Sequence, residues 1–308
     1  MAKKLTVIIP TAGRTDLFER TVKSLSKCRK PSIYHETVVV ENGCKTDVED
    51  FLNIYRKSLN IRYEHIPVGN KSNALNAVLK TVDGSLVFFT DDDVRLDQGI
   101  LEAYASVAHG TEAGEFYGGP FDVDYVRKPP EWLKTFLPLS AIGWTLGDHA
   151  KPIDRGSLFI GFNWAAFDRD IKMLGGFSVL HGPGSKIGAV GQETEMQKRL
   201  LESGLKGRYV PDARVWHYVP PERCSPGFAA RRAYKWGIQG GLDYGGSMMS
   251  LLRRGIRDGF RTLLAAFERE PGKRFQPYYK LCYTSGMIKG HFIGRRNGLN
   301  LNKQQRSK

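Results

Sequence analysis

The sequence predicts an α/β protein: a mostly parallel sheet flanked by helices, followed by a basic helical C-terminal extension. Three observations carry that expectation. Short β-rich runs alternate with helical patterns through the first half of the chain, a rhythm that builds helix-covered parallel sheets. One run, residues 85–90, reads as a fully buried strand and ends abruptly in three consecutive aspartates. Beyond Pro220 the pattern turns helical and the charge turns basic.

Taken in order, residues 5–10 read as the first strand, and 16–27 as a helix with Leu17, Val22 and Leu25 on one side. A second strand, 36–40, leads into the loop Glu41-Asn42-Gly43-Cys44; residues 47–58 are helical and 61–65 form the third strand. Residues 73–80 set Ala74, Leu75 and Val78 at helical spacing before the fourth strand, 85–90. Ligands collect beyond the carboxyl ends of such strands, so Asp91, Asp92 and Asp93 fall where a site is expected. Residues 116–121 read as a strand broken by Gly118-Gly119, 158–164 as another, and 193–203 as a helix closed by Gly204. Residues 125–155, rich in Pro, Gly and Trp, are expected to be a flap, and 175–191 reads as a glycine-dense loop of which 182–191 is expected to close over the site.

Composition excludes several classes. With 308 residues, 41% of them apolar and 25% charged, the chain can bury a large core and is not disordered. Its longest apolar runs are too short to cross a bilayer. The charged, then strand-like N-terminus lacks a signal-peptide pattern, so a cytoplasmic location is expected, with the inner face of the membrane as an alternative. The four cysteines show no paired spacing and predict neither zinc nor disulfides. Net charge is +14, yet the first 250 residues hold 32 basic against 29 acidic residues. Residues 251–308 hold 14 Lys and Arg against three acids, which points to an anionic surface, membrane headgroups or an acidic polymer. No zinc pattern or aromatic RNA-binding motif suggests a specific nucleic acid. Within this tail Leu252, Ile256, Phe260, Leu263, Leu264 and Phe267 recur at three- and four-residue steps beside Arg253, Arg254, Arg257 and Arg261. Two readings stand: a helix lying on an anionic leaflet, or one docked on the protein with its arginines in water.

The aspartates carry the first chemical argument. Three side by side repel one another, and helix capping needs only one. A hard divalent cation, Mg2+ or Mn2+, bridging a nucleotide diphosphate would use the cluster. Two loops fit the same ligand. Pro10-Thr11-Ala12-Gly13-Arg14 offers donors after the first strand, and Glu41 could accept a hydrogen bond from a base N–H after the second. Turn chemistry explains Asn42-Gly43 equally well.

Together these motifs resemble the family-2 glycosyltransferases of GT-A (Rossmann-like) fold, over roughly residues 4–220. Val7-Ile8-Ile9-Pro10-Thr11 resembles the opening strand, and Val39-Val40-Glu41-Asn42-Gly43 the base-binding segment, with Glu41 where the family usually has Asp. Phe88-Phe89-Thr90-Asp91-Asp92-Asp93 matches the Asp-x-Asp metal motif. Gly161-Phe162-Asn163 matches a segment near the acceptor side. Gly191-Gln192-Glu193-Thr194-Glu195 resembles the Glu-Asp motif that holds the base, and residues 211–217, ending in Trp216-His217, match the closing segment.

The resemblance implies a catalytic domain over 1–220, with nucleotide-binding (1–115) and acceptor-binding (116–220) halves, and an extension over 221–308. It implies an inverting transfer from a nucleotide sugar, UDP-linked as the commonest choice, to a glycan or lipid-linked acceptor. Glu193, one methylene longer than the usual Asp, would be the base; an acid favouring a helix N-terminus is the other reading. Pro10, Thr11, Arg14, Glu41, Asn42, Lys71, Asp91 and Asp92 would meet the nucleotide. Asp91, Asp93 and His217 would hold Mn2+ or Mg2+, although His217 could instead touch the diphosphate or simply be packed. Gly161, Asn163, Gln192 and Trp144 would lie toward the sugars. Three rival readings are a nucleotidyltransferase acting on sugar phosphates, a non-catalytic binder of anionic polymers, and a degenerate sugar-binding relative suggested by Gln192.

Overall fold

The computed structural model describes residues 4–13, 15–111, 113–185, 191–242 and 244–296. Arg14, residues 186–190 of the glycine-dense loop and the last twelve residues of the basic tail lie outside the described residues.

The elements run β1 (Lys4–Thr11), α1 (Thr15–Ser26), β2 (Tyr34–Asn42), α2 (Val48–Leu52), β3 (Ile61–Ile66), α3 (Lys71–Leu79), β4 (Ser85–Phe89), β5 (Val94–Leu96), α4 (Ile100–Val107), β6 (Glu115–Gly118) and β7 (Phe121–Tyr125). They continue with α5 (Glu131–Lys134), β8 (Lys151–Ile153), β9 (Trp164–Phe167), α6 (Asp168–Met173), α7 (Gln192–Glu202), β10 (Lys206–Tyr209) and β11 (Val215–Val219). Three long helices follow: α8 (Pro226–Leu242), α9 (Met248–Leu264) and α10 (Pro271–Arg296). By contacts the chain divides into two units, one of residues up to 124 with 143–185 and 191–218, the other of Tyr125–Ile142 with the chain from Val219 onward.

In the first unit the main sheet has the order β3-β2-β1-β4-β9-β6-β10-β8. Strands β1 to β4 pair in parallel, as do β6 and β10, while β9 and β8 run against their neighbours. A second sheet has the order β5-β11-β7. The apolar runs are continuous because the main sheet is covered on both faces. Leu5, Val7 and Ile9 of β1 with Leu86 and Phe88 of β4 join one core, which receives Phe18, Val22 and Leu25 of α1 and Tyr104 of α4. Ile8, Val87 and Phe89 point to the other, closed by Ala74, Leu75 and Val78 of α3 and Met196 and Leu200 of α7. The period of two along each strand thus assigns alternate residues to opposite cores.

One expected strand is displaced. Residues 158–164 read as β, but β9 starts only at Trp164, and Asn163 closes a turn by donating its N–H to the Ile160 carbonyl at 3.1 Å. The reason is the Asn163 side chain. Its amide donates to the carbonyls of Pro120 (2.9 Å) and Ala213 (2.8 Å) and accepts from the Tyr104 hydroxyl (2.7 Å), so it clamps three segments together.

In the second unit α8 and α10 run parallel with backbones in close approach. A Cβ on Gly237 would sit 2.0 Å from the Tyr283 carbonyl oxygen, on Gly241 2.1 Å from that of Met287, and on Gly286 2.0 Å from that of Tyr234. Only hydrogen fits at these positions. Gly286→Ala is therefore expected to cost about 1–3 kcal/mol or more, because two backbones must part; chemical denaturation of the full chain reads it. Among the described residues no helix is long and apolar enough to cross a membrane.

Candidate active site

Strands β1, β2 and β4 end side by side, and the predicted residues gather beyond those ends. Ile8 is in register with Phe89, which sets Pro10 and Thr11 beside Thr90 to Asp92. The Thr11 hydroxyl donates to the Asp92 carboxylate at 2.8 Å, and both side chains are buried. Asp91 turns the other way and receives the Lys71 ammonium at 2.5 Å. Asp93 faces His217, with 3.5 Å between Oδ2 and Nε2, and both are 4% exposed. The three acids escape mutual repulsion by taking three different partners.

Lys71 opens α3, whose N-cap is Asn70. The described part of the glycine-dense loop is moored to that helix end. Asn70 donates its amide to the Val179 carbonyl, the Lys71 N–H donates to the Pro183 carbonyl, and the Ser72 hydroxyl donates to the His181 carbonyl. Residues 179–183 of that loop are thus tied down, at the edge of the segment 182–191 expected to close. Burial acts to lower the Lys71 pKa, but the negative charges of Asp91, Glu193 and Asp92 overcome it and hold the ammonium above its ordinary value. The Lys71 ammonium thus touches Asp91 and shares the lining of one small cavity with Glu193.

Glu193 is the second residue of α7, following Gly191 in the left-handed conformation at φ 86°. Its carboxyl lies against Gly161, where a Cβ would meet Glu193 Cδ at 2.7 Å and Oε1 at 2.8 Å. Two motifs far apart in sequence are therefore one device: the glycine makes room for the acid. Gly161→Ala is expected to displace the carboxylate and lower kcat by about tenfold or more, with little change in melting temperature, since misplacing a reacting group by about 1 Å costs up to 10²-fold. Steady-state kinetics beside a thermal melt checks it. Glu195, the second acid of the motif, is engaged with Arg199 at 2.6 Å, which also holds the Leu174 and Gly176 carbonyls. Gln192 is buried, with Oε1 accepting from Ser72 at 3.4 Å. A small cavity is lined by Pro10, Lys71, Thr90, Asp91, Gly161, Trp164, Gln192 and Glu193 among others.

The remaining predicted residues lie apart from this cluster or are engaged in packing. Glu41 is wholly buried and accepts from the Thr46 N–H (2.9 Å), the Thr46 hydroxyl (2.6 Å) and the Tyr63 hydroxyl (2.5 Å). Burial and the Glu41 contact push the Tyr63 phenol up, so it remains a donor. Neither Thr46 nor Tyr63 was singled out from the sequence, because nothing in their spacing betrays a partner across strands. Asn42 donates to the Thr11 carbonyl at 2.7 Å, joining the ends of β1 and β2. Asn163 has its amide spent on the internal clamp. Trp144 exchanges backbone hydrogen bonds with Phe121 and packs on Phe121, Phe159 and Tyr209.

The predicted metal ligands are not preassembled: among the described residues no three His, Cys, Asp or Glu side chains are grouped to hold a metal. Asp91 is drawn away by Lys71. The chemistry of the donor set nonetheless suits a divalent cation. Asp93 and His217 bring a carboxylate and an imidazole together, and His217 is held in orientation by stacking on Phe162, with ring centroids 4.7 Å apart and planes 2° from parallel. His217 is thus both packed and aimed at an acid. A larger groove of about 770 Å³, along α1 to Trp216, contains none of the aspartates 91–93. Its cations are largely engaged, Arg20 and Arg95 with Asp124 and Arg29 with Glu102.

The sheet order, with acids beyond the carboxyl end of β4, is the arrangement of the GT-A glycosyltransferases. Residues 2–238 match the family described as Glycosyltransferase like family 2, and the chain belongs to that family. A curated relative, GalNAc(5)-diNAcBac-PP-undecaprenol beta-1,3-glucosyltransferase of Campylobacter jejuni, is 30% identical over 140 residues, a match that spans 43% of this chain and only 42% of the relative. Among solved structures, a mannosyltransferase of Pyrobaculum calidifontis in complex with GDP-Man and Mn2+ aligns at a TM-score of 0.61 and 15% identity, covering 94% of this chain and 87% of that one. S. aureus TarS 1-349 in complex with UDP aligns at 0.55 and 14% identity, covering 96% and 92%. At these identities the structural likeness establishes the fold.

Proposed function

We propose that the chain is an inverting glycosyltransferase that moves a sugar from a nucleoside diphosphate donor, UDP-linked in the first instance, to a hydroxyl of a glycan or lipid-linked acceptor. The observation that carries this reading is the meeting of Glu193, Lys71 and Asp91 beyond the carboxyl end of β4. A general base, a fixed cation and a cluster of acids at that point suit transfer with an anionic leaving group. The relatives support the ligand classes: one solved structure holds GDP-Man and Mn2+, another UDP, and the Campylobacter protein is named for an undecaprenyl-diphosphate-linked glycan.

In the proposed reaction Glu193 takes the proton of the acceptor hydroxyl as its oxygen attacks the anomeric carbon. The bond from that carbon to the diphosphate breaks, and the nucleoside diphosphate departs with its electron pair. Asp93 and His217, with Asp91 released from Lys71, would hold Mn2+ or Mg2+, which supplies positive charge for the leaving diphosphate. Lys71 supplies a further positive charge from the protein, and Thr11 fixes Asp92 so that the acid cluster keeps its shape.

Thermal stabilisation by a panel of UDP- and GDP-sugars, with and without manganese, tests the donor site. One nucleotide sugar should raise the melting temperature in a metal-dependent way. If none does at any metal concentration, the donor assignment fails.

A further inference from the structure

We propose that the outward face of α9 is a docking surface that seats on an anionic lipid bilayer. The helix has two apolar sides, and among the described residues only one is packed on the protein. On the inner side Leu251 is buried, Gly255 allows approach to Ile288, and buried Asp258 accepts from the Thr284 hydroxyl at 2.8 Å. That side docks α9 on α10. The other side carries Met249, Leu252, Ile256, Phe260, Leu263 and, just past the helix end, Phe267. Ile256 is 76% exposed, Phe260 62%, Leu263 71% and Phe267 90%. At 3.6 residues per turn the five on the helix project within about 80° of one another, a continuous stripe rather than scattered surface residues.

Docking and lipid contact are therefore not alternatives for this helix. A docked helix ordinarily turns its apolar stripe inward. Here the inward face is a second, smaller one, and the large stripe is left to solvent.

Charge identifies the occupant. Arg253, Arg257 and Arg261 are exposed along one flank of the stripe, while Asp258, the single acid of α9, is buried toward α10 with its carboxylate 3.6 Å from Arg257 and 3.8 Å from Arg254. Within α9 the apolar stripe is edged by arginines and carries no exposed acid, the exposed Glu268 and Glu270 coming only after Phe267, and such a surface is complementary to acyl chains beneath phosphate headgroups. A second copy of the chain fits less well, since antiparallel twofold pairing through the stripe brings the arginine flanks together with no facing acid. The inference does not depend on the transfer reading, because lipid binding is measured without donor or acceptor.

The test is co-flotation of the full chain with phosphatidylcholine vesicles, with and without phosphatidylglycerol. A protein of this net charge adsorbs to anionic vesicles to some extent regardless, so the decisive variant leaves charge untouched. Ile256→Ser with Phe260→Ser, both at exposed positions, should keep the circular dichroism spectrum and weaken binding to the anionic vesicles by about tenfold or more. Arg253→Gln, Arg257→Gln and Arg261→Gln together should weaken the preference for phosphatidylglycerol. As a second readout, Phe260→Trp should add emission that is blue-shifted and quenched by brominated acyl chains. Absence of vesicle binding, undiminished binding by the serine variant, or an added tryptophan signal blind to brominated lipid would each overturn the proposal. So would a wild-type dimer that the serine variant splits into monomers.

Discussion

Glu193→Gln is expected to lower kcat by about 10²- to 10⁴-fold while leaving the donor KM nearly unchanged, the range that removal of a general base spans. Glutamine keeps the size and planarity of the side chain, so the contact with Gly161 and the start of α7 survive. What disappears is the capacity to take the acceptor proton. The neighbouring acid supplies the control. Glu195 is engaged by Arg199, and Glu195→Gln should weaken that clamp and lower stability while changing kcat only a few-fold. Steady-state kinetics on both variants, with a melt for each, separates the two acids of one motif. Equal losses in both would mean that Glu193 acts through the fold rather than on the acceptor.

Asp93→Asn should have an effect of similar size by a different route. Charge stabilisation of a leaving group is worth about 10²- to 10³-fold per positioned group, and asparagine keeps the shape of the residue that faces His217 while removing its charge. Activity should fall by that factor, and the dependence on added manganese should weaken or shift to higher concentration. His217→Ala should show the same altered metal response with a smaller loss, and it also unstacks Phe162. Titration of activity against manganese for the three proteins reads the effect. A variant with wild-type metal response and unchanged turnover would remove Asp93 from the site.

Much of this arrangement was legible in the sequence, for physical reasons that can be named. Strands buried on both faces announce themselves as apolar runs, so β1, β2 and β4 were placed to within a few residues, and the aspartates fell beyond a strand end as expected. Local rules do not report on partners brought together by folding. That Gly161 exists to admit Glu193, that Asn163 clamps Pro120, Ala213 and Tyr104, and that Thr46 and Tyr63 occupy Glu41 all depend on segments distant in sequence. Asn163 also explains the displaced strand, because a residue that must reach three segments cannot keep the alternation of a ladder. The tail shows the same limit. Its arginine and leucine spacing was plain, but which side of α9 faces the protein is decided by Asp258, Gly255 and the residues they meet on α10.

Product analysis with the nucleotide sugar that stabilises the protein, comparing wild type, Glu193→Gln and Asp93→Asn in the presence of manganese, decides whether the site transfers sugar. In a glycosyltransferase built this way the wild type releases nucleoside diphosphate, and both variants lose this release while Glu193→Gln still binds the donor. Release of pyrophosphate, as a nucleotidyltransferase would give, or diphosphate release undiminished in both variants, would contradict it.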